Sequence, residues 1–148
     1  MPKEEFLSLM KNSGAIMLPV VTDEEIGVTR TSLQQLQAAI IPMAFIDFYK
    51  NVAGGIILGD AEVFGLSEFK RETPQIAYFV PSILQIGREF SGFPQMRGKT
   101  IFGRNGLFWF AFDAFGNCFM LSNVNLAPLR KYEDIYKAIS DCLAVGKI

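Results

Sequence analysis

The chain has no histidine among its 148 residues. Histidine is the commonest general base, the usual partner of a serine or cysteine nucleophile, and the commonest metal ligand. Its absence argues against the most frequent kinds of hydrolytic and metal-dependent active site. The sequence therefore predicts a protein that is not an enzyme and that needs neither a cofactor nor a metal.

Cysteine is also scarce, since the chain has only Cys118 and Cys142. One pair is too few for a disulfide framework. A catalytic cysteine needs a lowered pKa and a nearby base, whereas both of these lie in apolar segments. We expect two buried thiols. The sequence leaves open whether they are close in space.

The chain has neither a long apolar run nor an excess of one charge. Its apolar runs, such as residues 53–58, fall far short of the roughly 20 residues that span a bilayer, and the charged first five residues do not open a signal peptide. Fourteen basic and fifteen acidic residues give a formal net charge of −1, and the basic ones are scattered. We expect a cytoplasmic protein that has no direct nucleic-acid or membrane partner.

Apolar residues are plentiful instead. Half of the chain is hydrophobic, including 14 phenylalanines, and a chain of this length commonly forms one domain. We expect a single domain over residues 1–148.

In the first half, helical spacing predicts a helix over residues 3–12. Residues 22–25 form a capping box whose helix is expected to be short or interrupted at Gly27. A second box at residues 31–34 is expected to open another helix, and a further helix follows Pro42.

In the second half, the alternation of aromatic and aliphatic residues with turns predicts an antiparallel meander. Residues 67–72 are expected to be a short helix or loop, and residues 132–144 a terminal helix. Strands are predicted over residues 61–66, 77–80, 83–86, 100–103, 107–112 and 117–121. This order predicts an α+β fold, an antiparallel β-sheet flanked by N-terminal helices and a C-terminal helix.

Residues 41–55 join a proline, spaced aromatic residues and a double glycine. This unit resembles one in the SUKH superfamily, which includes bacterial immunity proteins and the fungal regulator of cell-wall glucan synthesis, although Asn51 lies earlier than the family's asparagine. Residues 58–65 are similar to a stretch of the bacterial members, and residues 101–113 to the central hairpin. The closing helix is also similar but has Ala138 and Ile139 where an aromatic is usual. The resemblance covers roughly residues 31–145.

This resemblance implies a domain that binds a protein rather than catalysing a reaction, often by neutralising a toxin nuclease. Such nucleases are generally basic, so a carboxylate-bearing face can occlude them. The expected partner is a protein, such as a cognate toxin domain, and the oligomeric state is left open. The residues expected to bind it are Asp60, Glu62, Glu68, Glu72, Glu89 and Asp113, with Trp109 as an anchor.

Two alternatives remain open at this point. One is a housekeeping scaffold or regulator that binds a protein other than a toxin. The other is a hydrolase that uses Asp60, Glu62 or Asp113, which requires these carboxylates to share a pocket. The simpler interpretation of Asp60 and Asp113 is that they stabilise turns. Trp109 is available to a partner only if helices cover one face of the sheet and leave the other open.

Overall fold

The computed structural model describes residues 1–72 and 77–144, and residues 71, 72, 77 and 78 by their backbone alone. The described chain has the predicted α+β fold, with helices flanking an antiparallel sheet. Its α-helices are Lys3–Ser13 (α1), Asp23–Gln35 (α2), Met43–Asn51 (α3), Ile83–Phe90 (α4) and Ile135–Cys142 (α5). Its strands are Ile16–Met17 (β1), Ile56–Leu58 (β2), Ala61–Val63 (β3), Phe69–Glu72 (β4), Ala77–Val80 (β5), Lys99–Arg104 (β6), Phe108–Asp113 (β7), Cys118–Ser122 (β8) and Pro128–Tyr132 (β9).

The main sheet has seven antiparallel strands in the order β1-β2-β3-β6-β7-β8-β9. Its centre is the predicted meander, in which Trp109 of β7 lies between Arg104 of β6 and Leu121 of β8. The other two strands, β4 and β5, pair with each other as a separate hairpin. The prediction of a short helix or loop at residues 67–72 is therefore wrong for the part that forms β4.

Aromatic packing holds α1, α3 and α5 in one layer on the sheet. Phe45 of α3 has its ring centroid 4.8 Å from that of Phe112 in β7. Phe6 of α1 contacts Phe48 of α3 at 6.4 Å and Tyr136 of α5 at 4.8 Å. All of these rings except Tyr136 are fully buried, so this layer carries much of the core.

The opposite face of the sheet is covered by α4, which the sequence prediction missed. Residues 83–86 were expected to be a strand but form the first half of this helix. The helix start is fixed by a capping box: the backbone N–H of Gln85 donates to Ser82 Oγ at 3.2 Å, and that of Ser82 donates to Gln85 Oε1 at 2.7 Å. A short apolar run alone does not distinguish a buried helix from a strand.

Helix α2 also differs from the prediction. Its capping box at Thr22 and Glu25 is confirmed, but the helix continues through Gly27 instead of being interrupted there. The helix expected after residues 31–34 does not form, because these residues belong to α2. The hydroxyls of Thr31 and Ser32 donate back to carbonyls four residues earlier, as such side chains do inside a helix.

Within residues 1–72 and 77–144, no helix combines the length and the apolar character that a bilayer-crossing segment needs.

Candidate protein-binding surface

Trp109 is half-buried and packs locally. Its ring meets the ring of Phe90 on α4 edge-on, with centroids 5.0 Å apart, and the guanidinium carbon of Arg104 lies 5.8 Å from its centre. Helices cover both faces of the sheet at β7, so the open face that a tryptophan anchor requires is not present at this position.

Glu62 is tied to the same cluster. Arg104 Nη2 donates to Glu62 Oε2 at 3.3 Å, and the guanidinium also lies over the ring of Phe64 at 5.3 Å. Burial raises the pKa of Glu62, although the charge of Arg104 acts in the opposite direction. The structure therefore brings Glu62 and Trp109 together, through one shared arginine.

Asp60 and Asp113 both lie at turns, as expected. Asp60 is exposed in the turn between β2 and β3. Asp113 Oδ1 accepts hydrogen bonds from the backbone N–H groups of Phe115 at 2.9 Å and Asn117 at 3.0 Å, and its Oδ2 accepts from the side-chain amide of Asn117 at 3.0 Å. The carboxylate of Asp113 is thus engaged in shaping the β7–β8 turn.

Asp113 and Glu62 are far apart in the sheet. Glu62 lies beside Arg104, which pairs with Trp109, whereas Asp113 pairs with Lys99. The four-residue step from Trp109 to Asp113 corresponds to about 13 Å along β7. The paired carboxyl groups of glycosidases lie roughly 5–9.5 Å apart. This arrangement does not supply such a pair from Glu62 and Asp113.

The remaining predicted carboxylates are dispersed. Glu68 is exposed on the segment that follows β3, and Glu89 is exposed on α4. The backbone of Glu72 lies in β4, but its side chain falls outside the described part of the structure.

Glu68 borders a surface depression, the α2 groove, which consists of two adjoining chambers. The first, of about 210 Å³, lies between residues 18–21, residues 66–69 and Glu25. The second, of about 260 Å³, is lined by Glu24, Glu25, Val28, Thr29, Leu66, Ser67 and Leu84. Glu25, Leu66 and Ser67 line both chambers, so the two adjoin each other beside the first turns of α2.

Closely packed backbone lies beside the first chamber, whose lining includes Pro19 and Gly54. A Cβ added to Gly54 would lie 2.0 Å from the carbonyl oxygen of Pro19, and one added to Gly65 would lie 2.1 Å from that of Gly54. Only glycine fits at either position without moving the chain. One glycine of the double-glycine unit in residues 41–55, Gly54, thus lies in the groove lining.

Two helix caps position carboxylates at the groove. The carboxylate of Glu25 is held by the capping box of α2, in which its Oε1 accepts from the hydroxyl of Thr22 at 3.2 Å and from the backbone N–H of Thr22 at 3.4 Å. Glu68 Oε2 accepts from Gln85 Nε2 at 2.8 Å, and Gln85 is itself held by the capping box of α4. Both carboxylates are therefore oriented before any partner binds.

The described lining of the groove carries negative charge only. Among the described residues that line it, three are glutamates and none is lysine or arginine. Within the described chain, Glu24, Glu25 and Glu68 form no salt bridge. The neighbouring Asp23 differs, since Lys50 Nζ lies 2.7 Å from its Oδ1. The groove thus combines apolar walls with three carboxylates that lack a cationic partner within the described chain.

The two cysteines are buried free thiols, as expected. Burial raises the pKa of Cys118 to about 12, and it also raises the pKa of Cys142 well above its usual range. Thiols in this state are poor nucleophiles. Across residues 1–72 and 77–144, no group of three or more cysteine, aspartate or glutamate side chains is placed to hold a metal ion.

Sequence reasoning found only part of the α2 groove. Of the seven predicted partner-binding residues, Glu68 is the one that the structure places in its lining. Glu24 and Glu25 were noticed only as parts of a helix cap. The signal that could have found them is a further capping box, at Ser82 and Gln85. It predicts α4, the helix that faces α2.

Comparisons of the chain with protein-family models, with curated proteins and with solved structures give no match. The resemblance to the SUKH superfamily therefore stays a prediction.

Proposed function

We propose that this protein is a non-catalytic binding domain that neutralises a basic toxin domain, as the resemblance to the SUKH immunity proteins implies. The observation that carries the proposal is the α2 groove, where Glu24, Glu25 and Glu68 lack cationic partners within the described chain and border apolar walls. Surfaces that bind other proteins commonly combine an apolar centre with a polar rim.

The charge of the groove favours a basic partner. Enzymes that cleave nucleic acids hold phosphates with lysine and arginine side chains. A carboxylate-bearing surface competes for those side chains and accelerates encounter with them. Covering the nuclease surface in this way blocks it without any chemical step.

Co-expression with any toxin domain that is encoded beside the gene tests this proposal. We expect the wild-type protein to restore growth and to elute with the toxin domain as one species in size-exclusion chromatography. The double variant Glu25→Gln/Glu68→Gln is expected to protect less, because glutamine removes both charges and still completes the α2 capping box. The sequence predicted Glu89 as a partner-binding residue, but Glu89 is absent from the described lining of the α2 groove. Glu89→Gln, which removes this exposed charge, is therefore the matched control and should protect like the wild type.

Two results would contradict the proposal. One is the absence of both protection and complex with each toxin domain encoded nearby. The other is equal protection by the double variant and the wild type. If native pull-downs instead recover a basic protein without toxic activity through the same groove, the scaffold alternative replaces the toxin assignment.

A further inference from the structure

We infer that the α2 groove binds a linear segment of the partner in which an aliphatic side chain lies close to a lysine or arginine. This inference rests on the proposed function, because it specifies which part of a protein partner enters the groove. It follows from the shape, the wall chemistry and the charge of the two chambers.

The walls supply the apolar half of this recognition. Val20 is 51% exposed beside the first chamber and Val28 is 63% exposed in the second, while Leu66 is buried between them. An aliphatic side chain placed in either chamber would remove these apolar surfaces from water. Burying such a side chain is favourable by about 1.5–3 kcal/mol in general.

The carboxylates supply the other half. Glu25 lines both chambers, Glu68 lines the first and Glu24 the second. A partner's basic side chain near the shared wall is therefore within the field of all three. Phosphate groups are repelled by the same field, so the occupant is a cationic peptide and not a nucleic acid.

The groove is also pre-organised. Because the capping boxes of α2 and α4 already hold Glu25 and Gln85, binding does not have to order these side chains. Pre-organisation of this kind lowers the entropic cost of association. A short segment can then bind measurably without the rest of the partner.

Three fluorescently labelled peptides of equal length test the inference by fluorescence anisotropy. The first, the leucine–arginine peptide, contains leucines and arginines among glycines and serines. The second, the arginine-only peptide, has serine in place of each leucine. The third has glutamine in place of each arginine. We expect the first peptide to bind at least about tenfold more tightly than either of the others, since each lacks one half of the recognition.

Variants of the full-length protein locate the binding. Glu25→Gln/Glu68→Gln is expected to weaken the leucine–arginine peptide by about 2- to 30-fold, and Glu89→Gln is expected to leave its affinity unchanged. Val28→Ser, which replaces the two methyl groups of an exposed groove side chain by one hydroxyl, should weaken the two leucine-containing peptides and not the arginine-only peptide.

The inference is overturned if the leucine–arginine peptide binds no more tightly than the arginine-only peptide. Equal losses in the groove variant and the control variant also overturn it, because binding would then follow overall charge. Failure of the peptides together with groove-dependent protection from the toxin would leave the proposed function standing. If the peptides bind but the protein gives no protection, the inference about the groove stands and the proposal that the partner is a toxin fails.

Discussion

Burial and an ion pair with Arg104 act in opposite directions on the pKa of Glu62. The side chain is only 17% exposed, and its bond to Arg104 favours the ionised form. Burial outweighs that bond and raises the pKa. The folded protein consequently holds a proton on Glu62 more tightly than the unfolded chain does, where the pKa of glutamate is about 4.3.

This difference predicts how stability depends on pH. A raised folded-state pKa contributes stability that is fully present below about pH 4.3 and is lost as the pH rises through the folded value. Glu62→Gln cannot lose a proton there. The unfolding free energy of the wild type minus that of the variant should therefore fall between pH 4 and pH 7, as measured by urea unfolding.

Glu89→Gln is the control for this experiment, because it removes an exposed carboxylate in the same protein. The unfolding free energy of the wild type minus that of Glu89→Gln is subtracted at each pH. This subtraction corrects for the general effect of losing one negative charge. A corrected difference for Glu62→Gln that is constant or rises with pH would contradict the assignment.

The role of a single residue was predictable from the sequence where its neighbours along the chain determine that role. The aspartate, glycine and asparagine at residues 113–117 indicate a turn, and Asp113 stabilises one. The surroundings of Trp109 depend instead on Phe90, which lies 19 positions away on an element assigned wrongly. Residue spacing therefore could not show that a helix covers the tryptophan.

Among the elements, α2 shows how tertiary context overrides a local preference. Gly27 lies inside this helix, and an added Cβ would have no heavy atom within 4 Å. Glycine destabilises a helix interior because the unfolded chain loses more conformational freedom on folding. The buried residues Ile26, Thr29 and Leu33 nevertheless hold the helix together on both sides of Gly27.

Gly27→Ala is therefore expected to stabilise the protein by about 0.5–1 kcal/mol, measured by urea unfolding. Gly65→Ala is the matched contrast, since its Cβ would lie 2.1 Å from the carbonyl oxygen of Gly54 and must move the backbone. We expect that variant to be clearly destabilised. A loss of stability in Gly27→Ala would mean that the helix is not continuous at this residue.

The elements that the sequence predicted best are those with a long, regular pattern. The three strands of the meander follow their aromatic alternation, and α1 and α5 follow their helical stripe. The element α4 was missed because its apolar start is short. The edge strand β9 was not predicted, because its exposed residues Leu129, Arg130 and Lys131 carry no clear alternation.

In the whole molecule, charge is distributed unevenly although the formal net charge is only −1. Three glutamates without salt bridges in the described chain gather at the α2 groove, while Arg130 and Lys131 lie exposed on β9. Summing charges along the sequence hides this separation. The groove could not be predicted as a unit, because residues 18–21, α2 and residues 66–69 meet only through the tertiary fold.

Local charge of this kind predicts a salt-dependent association rate. The screening length falls from about 30 Å at 0.01 M to about 3 Å at 1 M ionic strength. Over this range, the rate constant for association with a basic partner, or with the leucine–arginine peptide, should fall about tenfold or more, and dissociation should change less. Stopped-flow fluorescence measures both rates.

Glu25→Gln/Glu68→Gln should show a shallower dependence on salt than the wild type, and Glu89→Gln should match the wild type. If the association rate constant depends on ionic strength equally in all three proteins, the electrostatic attraction to the partner comes from charges outside the groove.

Pro19 and Gly54 line the first chamber of the α2 groove, and their main chains pack closely together and against Gly65. Val20, Glu24 and Val28, in contrast, are exposed at its border. Exchanging exposed residues usually alters stability by less than about 0.5 kcal/mol. In the proposed function, the residues that choose the partner are therefore different from those that stabilise the fold. Surface substitutions at Val20, Glu24 and Val28 would then change binding specificity while the same scaffold is kept.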